Sequence, residues 1–388
     1  MKIAFESQLL LKGNRTGIPW CAHNLIKGIA QDSDFSCQMN YFTKGVDKEK
    51  LEHLKEYENL GISKNECSFL KASWYKFLWL LIPVVPYSLF FGKDAQITQF
   101  FNYVVPPGVK GKKVTIVHDM AHLACRETVR AKTKIWLDLV LKGSCKRADI
   151  ILTVSKFSKS EIIKHLNIPE NKIRVMYPGV DLELFHPDYS DDEVKRACCK
   201  YDIEEKYILY TGTIEPRKNI KRLIEAYDSL ANDQDIKELP LLVLAGGKGW
   251  LCDDIYKAAE NAKLKERIKF TGYVDEEDLP LLMKGAEIFC FPSLYEGFGT
   301  PPVEAMACGT PVLAANAASI PEILGDQALY VEPFSMESIA LGIKKLMLDS
   351  ELRERMSGEG IEYVKRYDWK YSVECLSRVY RELIQLKN

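Results

Sequence analysis

The sequence predicts an α/β protein built from two doubly wound parallel sheets, on three observations. Strand-like and helix-like stretches alternate along nearly the whole chain, the pattern of parallel strands joined by helices that cover both faces. The alternation is interrupted once, by a polar, turn-rich segment at 185–205. And 388 residues exceed what one hydrophobic core ordinarily supports, so two domains are expected.

The elements follow in order. In the first half, 2–6, 36–41, 95–98, 113–117, 149–154 and 172–176 read as strands, and 19–29 and 128–146 carry apolar residues at helical spacing. Ser158 with Glu161 reads as a capping box that opens another helix. The break at 185–205 reads as a linker with a short helix. In the second half, 207–210, 241–244, 267–270, 288–291 and 312–314 read as strands. Helices are expected at 220–230, 276–284, 301–307, 336–348 and 351–364, and a last amphipathic helix at about 369–386.

Composition narrows the class. Hydrophobic residues make up 47% and charged residues 28%, a globular profile. With a formal net charge of -1, no global field recruits nucleic acid or an anionic membrane, so phosphate recognition must be local. Eleven cysteines without metal-type spacing, two of them adjacent at Cys198 and Cys199, read as reduced, mostly buried apolar residues of a cytoplasmic protein. The N-terminus MKIAFESQLL lacks a signal-peptide core and reads as a first strand. The segment that begins at Trp74 and ends at Phe91, WYKFLWLLIPVVPYSLFF, approaches a membrane span in length, but Lys76, Pro83 and Pro86 interrupt it. It reads as a buried helix ending at Pro83, with a membrane-facing apolar patch as the alternative.

Ligands of doubly wound folds sit outside the carboxyl ends of strands, so chemistry is expected in the turns that follow them. The strongest constellation is SLYEGFGTPPVEAMACGTP, starting at Ser293 after a strand and running into a helix. Glu296 lies in its loop and Glu304 one turn into the helix. Gly297 and Gly299 let backbone amides approach a ligand, and a helix N-terminus favours anions. Two carboxylates beside an amide-rich anion pocket suit a sugar nucleotide. The bland alternative is a helix-capping Glu296 and a solvated Glu304. A second constellation, TGTIEPRKN, opens with Thr211 and Gly212. Arg217 and Lys218 at a helix start oppose the macrodipole, which points to an anionic ligand such as a diphosphate. A third is the strand end followed by His118-Asp119. His118 and His122 are four apart, but no third ligand accompanies them, so no metal and no cofactor is expected. A fourth is the turn GNRTGIPW, in which Gly17 precedes a helix without completing a dinucleotide fingerprint.

Taken together these residues resemble the retaining glycosyltransferases of family 4, which have the GT-B fold: two Rossmann-like domains facing across a cleft. Glu296 and Glu304 within YEGFGTPPVEAMACGTPV match the family's paired glutamates with seven residues between them. TGTIEPRKNIKRLIEAY resembles the opening of its donor domain, VTIVHDM its N-domain histidine turn, and RYDWKYSVECLSRVYREL the terminal helix that crosses back onto the N-domain. Within the family the chain is similar to the mannosyltransferase-like branch of bacterial surface polysaccharide synthesis. The resemblance implies an acceptor-side domain at 1–187 with 367–388 packed back on it, a linker at 188–205, and a donor domain at 206–366.

It also implies roles. Glu296 would contact the donor sugar and Glu304 the ribose. Gly212, Gly297, Phe298, Gly299 and Thr300 would line the donor with backbone groups, and the main chain at Val274 would meet the base. Arg217 and Lys218 would stabilise the leaving diphosphate, Gly17 would supply an amide and His118 would bond the sugar. Thr213 stands where many members carry an arginine, so Arg217 takes that role. The implied reaction is metal-independent transfer, with retention, from a nucleoside-diphosphate sugar to a glycan or lipid-linked glycan. GDP-mannose is favoured, with a UDP-sugar as the other donor. The implied location is the cytoplasm, at the inner face of the plasma membrane if the segment from Trp74 to Phe91 is exposed. The alternatives are a nonhydrolysing sugar-nucleotide epimerase, a dehydrogenase with paired dinucleotide folds, for which the fingerprint is missing, and a catalytically silent nucleotide-sugar-binding protein.

Overall fold

The computed structural model describes residues 1–11, 17–81 and 85–385. Within them are two all-parallel sheets. The first joins β1 (Lys2–Glu6), β2 (Ser36–Phe42), β3 (Ser63–Cys67), β4 (Ile97–Phe100), β5 (Lys112–Val117), β6 (Ile150–Thr153) and β7 (Ile173–Val175) in the order β3-β2-β1-β4-β5-β6-β7. The second joins β8 (Tyr207–Thr211), β9 (Leu241–Ala245), β10 (Ile268–Gly272), β11 (Ile288–Phe291), β12 (Val312–Ala315) and β13 (Ala328–Val331) in the order β10-β9-β8-β11-β12-β13. In each sheet the strand order reverses beside its first strand, at β1/β4 and at β8/β11. Adjacent loops diverge to opposite faces there and leave a crevice for a ligand. The central strands are sealed on both faces: Ile3, Ala4 and Phe5 of β1 and Ile208, Leu209 and Tyr210 of β8 are all inaccessible.

Contacts divide the chain into two compact units. One holds Met1–Met120, Lys132–Gly179 and Trp369–Asn388; the other holds Ala121–Ala131 and Val180–Asp368. The helix Trp369–Gln385 belongs to the first unit. It is fixed there by Ser372 Oγ, which donates to the Tyr177 carbonyl at 2.6 Å, and by Val373 against Gly28. The polar break expected as a linker at 188–205 folds into the second unit. Its helix Asp191–Lys200 carries a full capping box between Ser190 and Glu193, and Lys200 binds Asp275 and Asp278. The segment Ala121–Ala131 also belongs to the second unit. There Trp250 Nε1 donates to the Thr128 carbonyl at 2.6 Å, and the Arg130 guanidinium lies 4.7 Å from the Trp250 ring centre.

Other local expectations shift. The helix Lys156–Leu166 is capped by Ser155, whose hydroxyl accepts from the Ser158 amide, and not by Ser158; Glu161 instead pairs with Lys164 and His165. A serine one turn earlier wins because it is the one left in the extended conformation that a cap requires. The segment from Trp74 to Phe91 forms the helices Ala72–Leu81 and Ser88–Phe91, and the expected end at Pro83 lies outside the described residues. It is amphipathic rather than simply buried: Tyr75, Trp79, Tyr87 and Phe91 face the core, while Trp74, Phe77 and Leu89 are 58%, 54% and 69% exposed. No described helix is long and apolar enough to cross a membrane. All eleven cysteines are free thiols.

Candidate functional site

The second unit places its two sequence constellations in the loops that follow β8 and β11, the strands that flank its switch point. After β8 the chain turns through the 3-10 segment Pro216–Lys218. It then passes Asn219 in a left-handed conformation before entering the helix Ile220–Ser229. After β11 it runs to Gly299, whose φ of 93° starts the helix Thr300–Ala307 without a side-chain cap. A side chain at Gly299 would be strained by that backbone whatever the space around it. Pro301 and Pro302 suit the first turn but bring no N–H, so anion contacts at this terminus fall to the amides of Gly299, Thr300 and Val303.

The two loops are stitched together. The Leu294 amide donates to the Arg217 carbonyl at 2.9 Å. Asn219 Nδ2 donates to the Pro292 and Pro333 carbonyls at 3.0 and 2.7 Å, tying three strand ends to one side chain. Ser319, fully buried, shares its one hydroxyl proton between the Glu296 and Phe298 carbonyls, at 3.0 and 3.2 Å. Asn219 and Ser319 were not singled out from the sequence. Asn219 reads as an ordinary helix cap, and Ser319 lies in a stretch without local pattern.

On this frame the charged groups converge. Lys218 Nζ donates to Glu296 Oε1 at 2.6 Å, and Arg217 donates through Nη1 to Glu296 Oε2 at 2.9 Å and through Nη2 to Glu215 Oε1 at 2.8 Å. Arg217 Nη1 also reaches the Tyr295 carbonyl at 2.6 Å, and Lys218 Nζ lies 5.4 Å from the centre of the Phe291 ring. Burial would raise the Glu296 carboxyl, but Lys218 and then Arg217 outweigh it and hold the group down at about 2. Two expectations change here. Glu296 does not cap the helix, because both its oxygens are engaged by cations. And the charge of Arg217 and Lys218 is met by Glu215 and Glu296 from within the protein, in a turn that Asn219 separates from the helix proper.

Glu304, half-buried on the helix Thr300–Ala307, behaves oppositely. Burial and then the charge of Glu276 push its carboxyl up to about 8. The folded state thus keeps a proton that the unfolded chain releases near the ordinary value of 4.5. The stability this contributes is full below the lower value and is lost as pH rises toward the higher one. Glu304→Gln removes that titration, so its Tm should gain on the wild type between pH 5 and 8. A constant Tm difference across that range would refute the assignment.

The remaining residues are spread more widely. Gly272 ends β10, and beyond it Tyr273 is exposed and Val274 buried. Gly212 follows β8, its amide donating to the Ala245 carbonyl at 2.9 Å. Gly17 and His118 lie in the first unit. Gly17 is exposed at the start of the helix Ile18–Ala30; the residues 13–16 of its turn lie outside the described ones. His118 follows β5. Its Nε2 is 2.8 Å from the Phe101 carbonyl, which can only accept, so the proton sits on Nε2 and Nδ1 carries the lone pair. Burial lowers its pKa, against the Phe101 carbonyl and Asp119. Tyr103 meets its ring edge-on at 5.8 Å between centres. His118 precedes the helix Ala121–Ala124 that carries His122, so the two histidines do not share a helix face; no group of metal-binding side chains occurs among the described residues.

Known proteins agree with this architecture. Residues 195–363 match the family model for glycosyl transferases group 1, and residues 102–184 that for glycosyltransferase family 4. The chain belongs to family 4 of the glycosyltransferases. It is 35% identical over 270 residues to O-antigen chain mannosyltransferase B of Escherichia coli, which covers 69% of this chain and 70% of that one. It is 28% identical over 279 residues to the serotype-specific mannosyltransferase WbdA of Escherichia coli, which covers 71% of this chain but only 34% of WbdA. The crystal structure of Anabaena HepE in complex with UDP and glucose superposes with a TM-score of 0.74 at 18% identity, covering 98% and 100% of the two chains. That likeness establishes the GT-B fold.

Proposed function

We propose that the protein is a retaining, metal-independent mannosyltransferase that uses a nucleoside-diphosphate sugar. GDP-mannose is the leading donor and a UDP-sugar the alternative, and the acceptor is a glycan or lipid-linked glycan of bacterial polysaccharide synthesis. The observation that carries this reading is the Arg217–Lys218–Glu296 cluster at the carboxyl ends of β8 and β11. The two relatives named as mannosyltransferases support the sugar.

As the bond from the anomeric carbon to the β-phosphate oxygen breaks, its electron pair goes to the phosphate and the sugar becomes cationic. The acceptor oxygen bonds to the same face, and its proton passes to the leaving phosphate. Arg217, Lys218 and the Gly299 and Thr300 amides oppose the growing negative charge from fixed positions. Glu296 accepts from the sugar hydroxyls and Glu304 from the ribose. Gly212, Gly297 and Phe298 contribute main chain beside the phosphates and sugar, Val274 beside the base, and Gly17 an amide. His118, with Nε2–H committed to Phe101, offers Nδ1 as an acceptor for a sugar hydroxyl.

The test is hydrolysis of GDP-, UDP-, ADP- and dTDP-sugars without acceptor, by wild type, Glu304→Ala and Lys218→Ala. Slow turnover of one donor, lost in both variants, is expected. No turnover of any donor, with no thermal shift by any nucleoside diphosphate, would leave a silent binder or another activity.

The exposed face of the segment from Trp74 to Phe91 supports peripheral attachment at the inner face of the plasma membrane, where a lipid-linked acceptor would lie. Trp74, Phe77 and Leu89 point outward among the exposed Lys71, Lys76 and Lys93, the combination that inserts rings while bases meet anionic headgroups. Wild type should sediment with vesicles containing phosphatidylglycerol, and a Trp74→Glu, Phe77→Glu, Leu89→Glu variant should stay in solution. Equal sedimentation of both would remove the membrane from the reading.

A further inference from the structure

Arg217 lies between two acids of different character. Glu296 shares its charge with Lys218 and sits in the loop between β11 and the helix Thr300–Ala307. Glu215 sits two residues before Arg217 and is 1% exposed. Its Oε1 accepts from Arg217 Nη2 at 2.8 Å, and its buried Oε2 has no hydrogen-bond partner among the described residues. A buried carboxylate with one oxygen unmet works against stability, and an apolar side chain of similar shape would fold more cheaply. Packing therefore does not account for an acid at this position. Where a chain retains a locally unfavourable group without compensation, function is the first place to look.

The geometry supplies one. Both oxygens of Glu296 are held by the two cations that the proposed function assigns to the donor's diphosphate. A diphosphate bound by the same two cations competes with that carboxylate for them. Arg217 Nη1 and Lys218 Nζ then pass to phosphate oxygens, and the released Glu296 oxygens become free to accept from sugar hydroxyls. During that exchange Nη1 faces the side that changes partner, donating to Glu296 Oε2 and reaching the Tyr295 carbonyl. Nη2 is held by Glu215. Resting on the transferase reading, we infer that Glu215 is a positioning residue: a buried anchor that keeps the Arg217 guanidinium at the anion site while its other edge transfers from Glu296 to the donor's diphosphate.

Charge alone predicts something different. Glu215, Glu296, Arg217 and Lys218 sum to zero, so removing the Glu215 charge would make the site more cationic and strengthen nucleoside diphosphate binding without slowing turnover. An anchor predicts a slower reaction at nearly unchanged binding, because misplacement of a charged group matters most where charge develops.

The experiment measures donor turnover by wild type, Glu215→Gln, Arg217→Ala and the double variant, with Tm for each. Glu215→Gln should keep a Tm within a few degrees of wild type. It should lower kcat roughly 10- to 100-fold, the cost of a misplaced catalytic group, while the donor KM changes much less. In the Arg217→Ala background the same substitution should have no further effect, since the residue it positions is gone. If Glu215→Gln does not fold, Glu215→Asp, which keeps the charge but withdraws it by one methylene, should show the same split between kcat and KM. Wild-type kcat in the folded variant, or an equal loss with and without Arg217, overturns the inference while leaving the transferase reading intact. A wild type that turns over no donor overturns both.

Discussion

Arg217→Ala is expected to lower donor turnover by roughly 10²–10³, or about 2.7–4 kcal/mol of transition-state stabilisation. The figure is that of one lost donor in a preorganised anion site, and three features place Arg217 in that class. Its guanidinium is fixed from both edges by Glu215 and Glu296. It is largely shielded from water, where a cation acts more strongly on nearby charge. And it stands at the end of the first strand of its sheet, beside the reversal of strand order. Glu296 retains Lys218 at 2.6 Å, but the buried Glu215 loses the cation that meets it, so a lower Tm is expected alongside the kinetic loss. Steady-state kinetics with the donor identified by the hydrolysis panel, alongside Tm, separates the two effects. A loss under tenfold in a folded variant would leave Lys218 as the principal cation and Arg217 as a brace.

The second large effect is on stability. Gly246 follows β9, and a Cβ built on it would lie 1.9 Å from the Gly212 carbonyl oxygen. The obstacle is backbone, so no rotamer change relieves it. Nor can the loops part freely: Gly212 N donates to Ala245 O at 2.9 Å, Ile214 N to Gly247 O at 3.0 Å, and Gly246 N to Gly272 O at 2.8 Å. Gly246→Ala must break some of these bonds to make room for one methyl group. The expected cost is about 3 kcal/mol or more. In a domain of this size that is a Tm lower by on the order of 10 °C. Scanning calorimetry reads it directly, and a Tm within 2–3 °C of wild type, roughly 1 kcal/mol, would mean that the loops after β8 and β9 yield more easily than their hydrogen bonds imply.

Much of this molecule was legible from its sequence because most strands announce themselves. β1, β8, β9 and β11 are apolar runs ended by polar or glycine turns, as strands buried on both faces must be. β3, with the sequence SKNEC, was invisible: an edge strand needs only one partner and can be polar. β13 was missed because its four residues ALYV offer too short a run. At the site, Glu296, Arg217 and Lys218 were found through their motifs, and the structure brings them together. What the motifs could not convey is that these residues neutralise one another. That depends on loops 78 residues apart meeting at a switch point, which no local pattern encodes. Glu215 lay inside the motif that was read, yet an acid beside two bases looks like ordinary surface until its burial is known.

The segment Ala121–Ala131 gives the domain boundary an unusual status. The chain on both sides of it folds with the first sheet, yet the segment is seated against Trp250 of the second unit. The second unit is therefore not a contiguous stretch of sequence, and it cannot be inherited as one. A recombination that replaced residues 180–368 with those of a relative would import a new surface around position 250 while keeping the old Thr128 and Arg130. In chimaeras between family members, the compatibility of that small graft should decide which exchanges yield folded protein. Carrying residues 121–131 along with the exchanged half should rescue those that fail.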